Sequence, residues 1–178
     1  MEIVEICAPF LYSIRYNSGQ VEYYKLFTQW ENVEWLLSFF EQHSSQMDPT
    51  FWGKTVEPEI ASSKTLQEAF DLEEQIETLL DNTKKNEKPN LDTFFKPLEG
   101  EYVYVWDYTP VKAYGPQSPS LLRLYAIKLT NNCYIITGGG VKYCRTMQES
   151  PELKGELKKI NRVRSFLIKN SIITNEDI

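Results

Sequence analysis

Three residues that lie close together in the second half of the chain, Lys142, Tyr143 and Arg145, are of the types that could cleave RNA without a metal ion. Such cleavage needs a group that positions the 2′-hydroxyl, cations that stabilise the charged phosphorane, and an acid that protonates the leaving oxygen. In an extended segment Tyr143 and Arg145 share one face, while Lys142 points to the other. These residues are predicted as the catalytic group, although two solvated cations beside a core tyrosine would produce the same spacing.

Further basic residues are predicted to bind RNA. Lys154, Lys158 and Arg162 recur at four-residue spacing, which places them on one face of a helix, where each phosphate contact also releases counterions. Arg123 and Lys128 lie on opposite faces of an apolar predicted strand. The helical stripe would equally suit an acidic protein partner or a plain solvated face, and Arg123 could instead snorkel at a sheet edge.

The division of charge along the chain is compatible with a polyanion as partner. The formal net charge is −6, but residues 1–89 carry 16 acids and 7 bases, whereas residues 90–178 carry 9 acids and 12 bases. Residues 120–170 concentrate 10 bases against 3 acids. A basic region of this kind suggests a surface for a polyanion beside an acidic remainder, so the acidic total does not exclude RNA.

Length and composition exclude several other classes. With 178 residues, 42% of them hydrophobic, the chain can form one domain with a real core, so it is neither a disulfide-stapled miniprotein nor a long disordered chain. Three cysteines cannot pair completely, and a single histidine removes multi-His and His–Cys metal sites. No apolar stretch approaches the ~20 residues that span a bilayer, and the N-terminus has acids where a secretory signal has bases. We therefore expect a cytoplasmic protein that uses no metal, cofactor or membrane.

Three other features have both a structural and a functional interpretation. Gly138-Gly139-Gly140 lacks the Gly-Lys-Ser/Thr ending of a phosphate loop, so a bulge or strand end is predicted there, where a backbone could approach closely. His43, at a predicted helix end, is expected on the surface. An aromatic row could stack bases or pack across strands, and it consists of Tyr102, Tyr104, Trp106 and Tyr108.

The first half of the chain is predicted to hold a hairpin and two helices. Alternation over residues 10–27 around a turn at 17–19 predicts the hairpin. Thr28 and Glu31 fit a capping box that opens a helix ending near residue 43. A second amphipathic helix is predicted over 65–81, after a loop.

The second half is predicted to hold a meander and a final helix. Strands are expected over 101–108, 121–129 and 133–137, with a proline-rich loop over 109–120 and a tight turn at 131–132. Ser150-Pro151 is typical of a helix start, so it opens the basic C-terminal helix. Because strands and helices do not alternate strictly, the fold class is predicted as α+β with an antiparallel sheet.

Several short motifs accompany this order of elements, namely Phe95-Lys96-Pro97-Leu98, Ala126-Ile127-Lys128-Leu129, Lys142, Thr146 and Pro151. Together they resemble the RelE/HigB-like toxins of bacterial toxin–antitoxin modules, particularly the phage-derived HigB-type group. The resemblance covers about residues 60–170. Within a single domain of residues 1–178, the hairpin and helix of 1–45 would be an addition and 101–119 a loop insertion.

The resemblance implies a small α+β protein that enters the ribosomal A site, cleaves mRNA without a metal and is covered by a cognate antitoxin. Lys142 and Arg145 would then contact the scissile phosphate, with Lys128 in the place of a strand arginine. Tyr143 as a proton-transfer group is predicted from its chemistry and matches no family position. The strand over 133–137 lacks the usual arginine, and the glycine run replaces a more typical apolar-aromatic segment.

Two alternatives stay open. The same fold could be a non-catalytic module that binds RNA or a protein through the aromatic row and the basic helix. The chain could also be an interaction protein whose acidic N-terminal half is the working surface.

Overall fold

The protein is built on a six-stranded sheet. Its computed structural model describes residues 1–47, 49–52, 55–81, 91–98, 108–117, 119–144 and 150–178. The strands are β1 (Glu2–Cys7), β2 (Leu11–Arg15), β3 (Lys96–Pro97), β4 (Thr109–Tyr114), β5 (Leu122–Lys128) and β6 (Tyr134–Val141). They run in the order β1-β2-β6-β5-β4-β3, and every pairing is antiparallel except the parallel pairing of β2 with β6. The predicted α+β class is confirmed, and the sheet contains a meander, β4-β5-β6, whose first strand lies outside the predicted strands.

Helices cover both faces of this sheet. They are α1 (Glu22–Trp30), α2 (Val33–His43), α3 (Pro49–Trp52), α4 (Pro58–Asp81), α5 (Leu91–Phe94) and α6 (Pro151–Lys169). One buried cluster joins α1, α2 and α4 to the sheet and includes Trp30 and Leu124. A second cluster packs Ile160 of α6 against Tyr125. Since neighbouring strand residues point to opposite faces, α6 packs on one face of the sheet and α1, α2 and α4 pack on the other. No helix in the described ranges is both long and apolar enough to cross a membrane.

The basic C-terminal helix begins as its sequence predicts. Ser150 caps α6, because its Oγ accepts a hydrogen bond of 3.2 Å from the Leu153 backbone N–H, and a proline follows in the first turn. The helical spacing of Leu153, Leu157, Ile160, Val163 and Leu167 predicts an apolar stripe on α6. All of these residues are buried except Leu157, which is half-buried. These contacts fix α6 against β5 and β6.

The predicted hairpin over residues 10–27 is wrong, although its first strand forms as β2. The hairpin partner of β2 is β1, which precedes it in the chain, and residues 22–30 form α1 instead of a strand. Tyr23, Leu26, Phe27 and Trp30 are all buried, a helical spacing that overrides the alternation read from residues 21–27. The predicted capping box is also wrong, because Asn32 caps α2 by accepting from the Trp35 N–H at 2.9 Å. The predicted turn at 17–19 is present, with Asn17 in the left-handed region, and it leads from β2 to α1.

The predicted loop over 109–120 is wrong for its first half. Residues 109–114 form β4, which pairs with β5 along its whole length. Pro110 has no N–H to donate, but its carbonyl still accepts a hydrogen bond of 3.0 Å from the N–H of Leu98, the residue after β3. The predicted strand over 101–107 lies outside the described residues, and with it most of the aromatic row. Tyr108 is described, buried, and not part of a strand.

The remaining elements differ mainly in length. The predicted helix over 65–81 begins earlier, at Pro58. The predicted strand over 133–137 continues through the glycines to Val141, and the turn before it contains Asn132 with a φ of 58°. The first half is continuous with the meander, because β2 pairs directly with β6.

Candidate functional site

The glycine run allows two helices to approach the two faces of β6. A Cβ atom on Gly139 would lie 2.7 Å from the Arg123 carbonyl oxygen and 2.9 Å from Cη2 of Trp30 in α1. A Cβ atom on Gly138 would lie 1.9 Å from Oε2 of Glu156 in α6. The register of β5 against β6 shifts beside Gly138, so the predicted bulge is present, but the ladder continues. The glycines therefore serve close packing and lead β6 to Lys142.

Just beyond the end of β6, the single histidine of the chain meets the first turn of α6. His43 Nε2 lies 3.1 Å from Oε1 of Glu152, and His43 Nδ1 lies 2.7 Å from the Phe39 carbonyl oxygen. The other oxygen of Glu152 accepts from Ser150 Oγ at 2.7 Å and lies 3.0 Å from the Tyr143 hydroxyl. We call His43, Tyr143, Ser150 and Glu152 the His43 cluster.

The His43 cluster pairs an imidazole with a carboxylate. The Phe39 carbonyl and Glu152 carboxylate oxygens only accept hydrogen bonds, so a protonated ring nitrogen of His43 donates to one of them in either tautomer. Burial raises the pKa of Glu152, but hydrogen bonds from Ser150, Tyr143 and His43 outweigh it and hold that pKa below its usual value. The His43 side chain is 14% exposed and the Glu152 side chain 44%, so Glu152 is the more accessible of the two.

Tyr143 is buried, which argues against its predicted role in proton transfer to RNA. It has no exposed area, its ring centre is 4.7 Å from that of His43, and its carbonyl accepts from Trp52 Nε1 at 3.3 Å. Burial raises the pKa of the Tyr143 hydroxyl to about 12. The hydroxyl is thus a poor acid, and it donates to the Glu152 carboxylate instead.

The two predicted catalytic cations, Lys142 and Arg145, lie on either side of Tyr143 in the sequence. Lys142 is half-buried, and its backbone N–H donates to the Leu121 carbonyl at 2.6 Å, which anchors the residue before Tyr143. Arg145 lies outside the described residues. The structure therefore brings Lys142 and Tyr143 to the same end of the sheet as His43 and Glu152.

The predicted RNA-binding residues fall into two groups. Lys154, Lys158 and Arg162 are all exposed on the outer face of α6, as their spacing predicts. Arg123 is only 7% exposed, and its Nη1 donates to Ser120 Oγ at 2.8 Å and to the Leu122 carbonyl at 2.7 Å. Burial lowers the pKa of Arg123, and its guanidinium lies 4.3 Å from the ring centre of Tyr114. Arg123 therefore holds two strands together and is not available to RNA.

Lys128 lies at the other end of the sheet from Lys142. It pairs with Asp92, which also accepts from the hydroxyl of Tyr134, the first residue of β6. Burial raises the pKa of Asp92, but the Lys128 and Tyr134 hydrogen bonds hold it below its usual value. The eight residues of β6 separate Lys128 from Lys142 by about 25 Å. The two lysines cannot contact one scissile phosphate. Lys128 therefore cannot act together with Lys142 in the role of the strand arginine that the resemblance assigns to it.

A buried ion triad lies between α1 and α6. Lys159 pairs with Glu22 and with Glu156 at 2.9 Å each, and Glu22 also pairs with Lys25 at 3.1 Å. Oε2 of Glu156 is buried without a hydrogen-bond partner, and burial raises the pKa of this carboxyl. Lys159 is thereby removed from the basic surface of α6.

Sequence analysis singles out Lys142 and Tyr143 but not the neighbouring His43–Glu152 pair. His43 and Glu152 are 109 residues apart, and no local pattern connects them. Among the described residues, no cluster of histidines, cysteines and acids could hold a metal ion. No protein-family model matches the chain, and no curated protein or solved structure matches it.

Proposed function

We propose that the chain is a RelE/HigB-like toxin, a metal-independent, ribosome-associated mRNA endonuclease that a cognate antitoxin neutralises. The observation that carries the proposal is the His43–Glu152 pair, 3.1 Å apart and adjacent in space to the segment that begins with Lys142. Acid–base groups and Lys142 then lie at one end of the sheet, and Arg145 follows Lys142 by three residues in the sequence. These are the two functions that metal-free RNA cleavage requires.

The geometry supports a specific division of roles. The 2′-hydroxyl attacks the adjacent phosphorus and loses its proton to the Glu152 carboxylate. The bond to the 5′-oxygen breaks, and the His43 imidazolium gives its Nε2 proton to that oxygen, so the products carry a 2′,3′-cyclic phosphate and a 5′-hydroxyl. Lys142 and Arg145 stabilise the charge of the phosphorane. Tyr143 and Ser150 orient Glu152 through their hydroxyls.

Ribosomes translating a defined mRNA test this division of roles, with cleavage mapped by primer extension. His43→Gln keeps a similar size but cannot form an imidazolium, so we expect the cleavage rate to fall by about a hundredfold or more. Lys142→Ala should lower it as well. Lys64→Ala is the matched control, because Lys64 is exposed on α4 and lies outside the site.

Expression in bacteria gives a second readout. The wild-type chain should slow growth and translation, and the combined change Lys142→Ala with Arg145→Ala should relieve the inhibition. Normal growth with intact mRNA at high expression would contradict the proposal. Full cleavage by a folded His43→Gln variant, checked by its melting temperature, would contradict the assignment of the acid.

The exposure of the α6 stripe favours a second candidate, a non-catalytic RNA- or protein-binding module. Lys154, Lys158 and Arg162 face outward, whereas the predicted catalytic tyrosine is buried. A binding module would hold single-stranded RNA without producing cleaved ends, and Lys158→Glu would weaken binding more than Lys142→Ala. The slope of log affinity against log salt should then be about −0.7 for each phosphate contacted.

A further inference from the structure

An apolar groove runs between α2 and α4, on the sheet face opposite α6. It is lined by Val33, Leu37, Glu59, Ser62, Ser63 and Leu66. Its volume is about 240 Å³, below the roughly 300–1,000 Å³ of pockets that enclose a small-molecule ligand. The size suits one or two apolar side chains of a protein partner better than a metabolite.

The apolar surface extends beyond the groove itself. Val33 is 55% exposed, and Phe70 is 49% exposed. Phe70 follows Leu66 by four residues, so the two side chains lie on the same face of α4. Leu66 and Phe70 therefore present the i, i+4 spacing against which the apolar face of a second helix packs.

The charges nearest the groove are mostly negative. Glu59 lines it, and Glu41 follows the lining residue Leu37 by four residues, on the same face of α2. Glu34 and Lys64 each follow a lining residue directly, so one charge of each sign lies about 100° around its helix from the groove wall. An acidic partner would be repelled, and a basic one would be attracted.

We propose that this groove is the docking site for a basic amphipathic helix of a partner protein. Apolar side chains at i, i+3 or i+4, and i+7 of that helix pack against Val33, Leu66 and Phe70. Lysines or arginines beside them face Glu34, Glu41 and Glu59. The inference does not depend on RNA cleavage, because the groove and the His43 cluster use different residues.

Binding of designed peptides to the full chain tests the inference. One fluorescein-labelled helical peptide carries a leucine stripe flanked by lysines, and a matched peptide carries glutamates in their place. Fluorescence anisotropy should show binding of the basic peptide only, weakened by added salt. Val33→Ser and Phe70→Ser should each weaken it about tenfold. Ile168→Ser is the control, because Ile168 is equally exposed, at 49%, on α6.

Two results would overturn the inference. The first is equal affinity for the two peptides, or an affinity for the basic peptide that Val33→Ser and Phe70→Ser leave unchanged. The second is a concentration-dependent dimer, seen by light scattering, that Val33→Ser dissociates, since the occupant is then a second copy of the chain. Both substituted residues are exposed, so melting temperatures near that of the wild type are expected and exclude misfolding. A His43→Gln variant should retain peptide binding, which keeps this test separate from that of RNA cleavage.

Discussion

Replacing Gly139 by alanine tests whether α1 can pack closely on β6 only because this position has no side chain. The new Cβ would lie 2.7 Å from the Arg123 carbonyl oxygen, 2.9 Å from Trp30 Cη2 and 3.0 Å from Leu26 Cδ1. The first contact is with backbone that pairs β5 to β6, and the other two are with buried side chains, 1% and 4% exposed. Overpacking of this kind costs about 1–3 kcal/mol, partly offset by about 0.5–1 kcal/mol from the lost flexibility of glycine. A net loss of about 1 kcal/mol would lower the melting temperature by roughly 2–4 °C in a domain of this size.

Gly155→Ala provides the matched control for this substitution. Gly155 lies inside α6, and a Cβ there meets nothing within 4 Å. Alanine at that position should stabilise the protein by about 0.5–1 kcal/mol, through helix propensity. Urea denaturation of both variants compares the two free energies of unfolding. If Gly139→Ala matched or exceeded the wild type, β6 would not need its glycine for close packing and the reasoning would be wrong.

Two further predictions concern the carboxylates of Glu156, which is buried, and Glu73, which is half-buried. Gly138→Ala should be destabilising because its Cβ would lie 1.9 Å from Glu156 Oε2. In a double-mutant cycle, Glu156→Ala should reduce this loss of stability by about 0.5–3 kcal/mol, and additive effects of the two substitutions would contradict the contact. Burial, together with a hydrogen bond and charge repulsion from Glu31, raises the pKa of Glu73 to about 7. Because the native state then retains a proton that the unfolded chain releases, stability should fall as the pH rises from about 4.5 to 7, and Glu73→Gln should flatten that fall in melting experiments; an unchanged pH profile would exclude the shift.

The sequence predicts best those elements whose local pattern and tertiary packing agree. In α6 the serine cap, the following proline and the apolar spacing all indicate the same helix, and it forms as expected. In residues 21–27 the pattern is ambiguous, because Val21, Tyr23 and Phe27 suit an alternating strand while Tyr23, Leu26, Phe27 and Trp30 suit a helix. Burial against β6 decides in favour of the helix. Such a choice depends on a strand more than 100 residues away, which no local window contains.

The candidate site shows the same limit at the level of chemistry. Lys142 and Tyr143 can be singled out because they follow a predicted strand. The partner of Tyr143 cannot be found in this way, because Glu152 reads as an ordinary first-turn acid of α6 and His43 as a helix-end residue. For Arg123 the sequence errs in the other direction, because its charge suggests a ligand-binding residue. Only the fold reveals that Ser120 and Tyr114 hold its guanidinium in place.

The acidic first half and the basic second half of the chain place their charged helices on opposite sides of the sheet. The acidic helices α2 and α4 cover one face, and the basic stripe of α6 lies beyond the other. The faces meet at the end of β6, where His43 closes α2 and Glu152 lies in the first turn of α6. Leu37 in the groove precedes His43 by six residues, about 9 Å along the helix axis. A partner helix in the groove would thus bind on the opposite side of the sheet from the basic stripe and would leave Lys154, Lys158 and Arg162 uncovered.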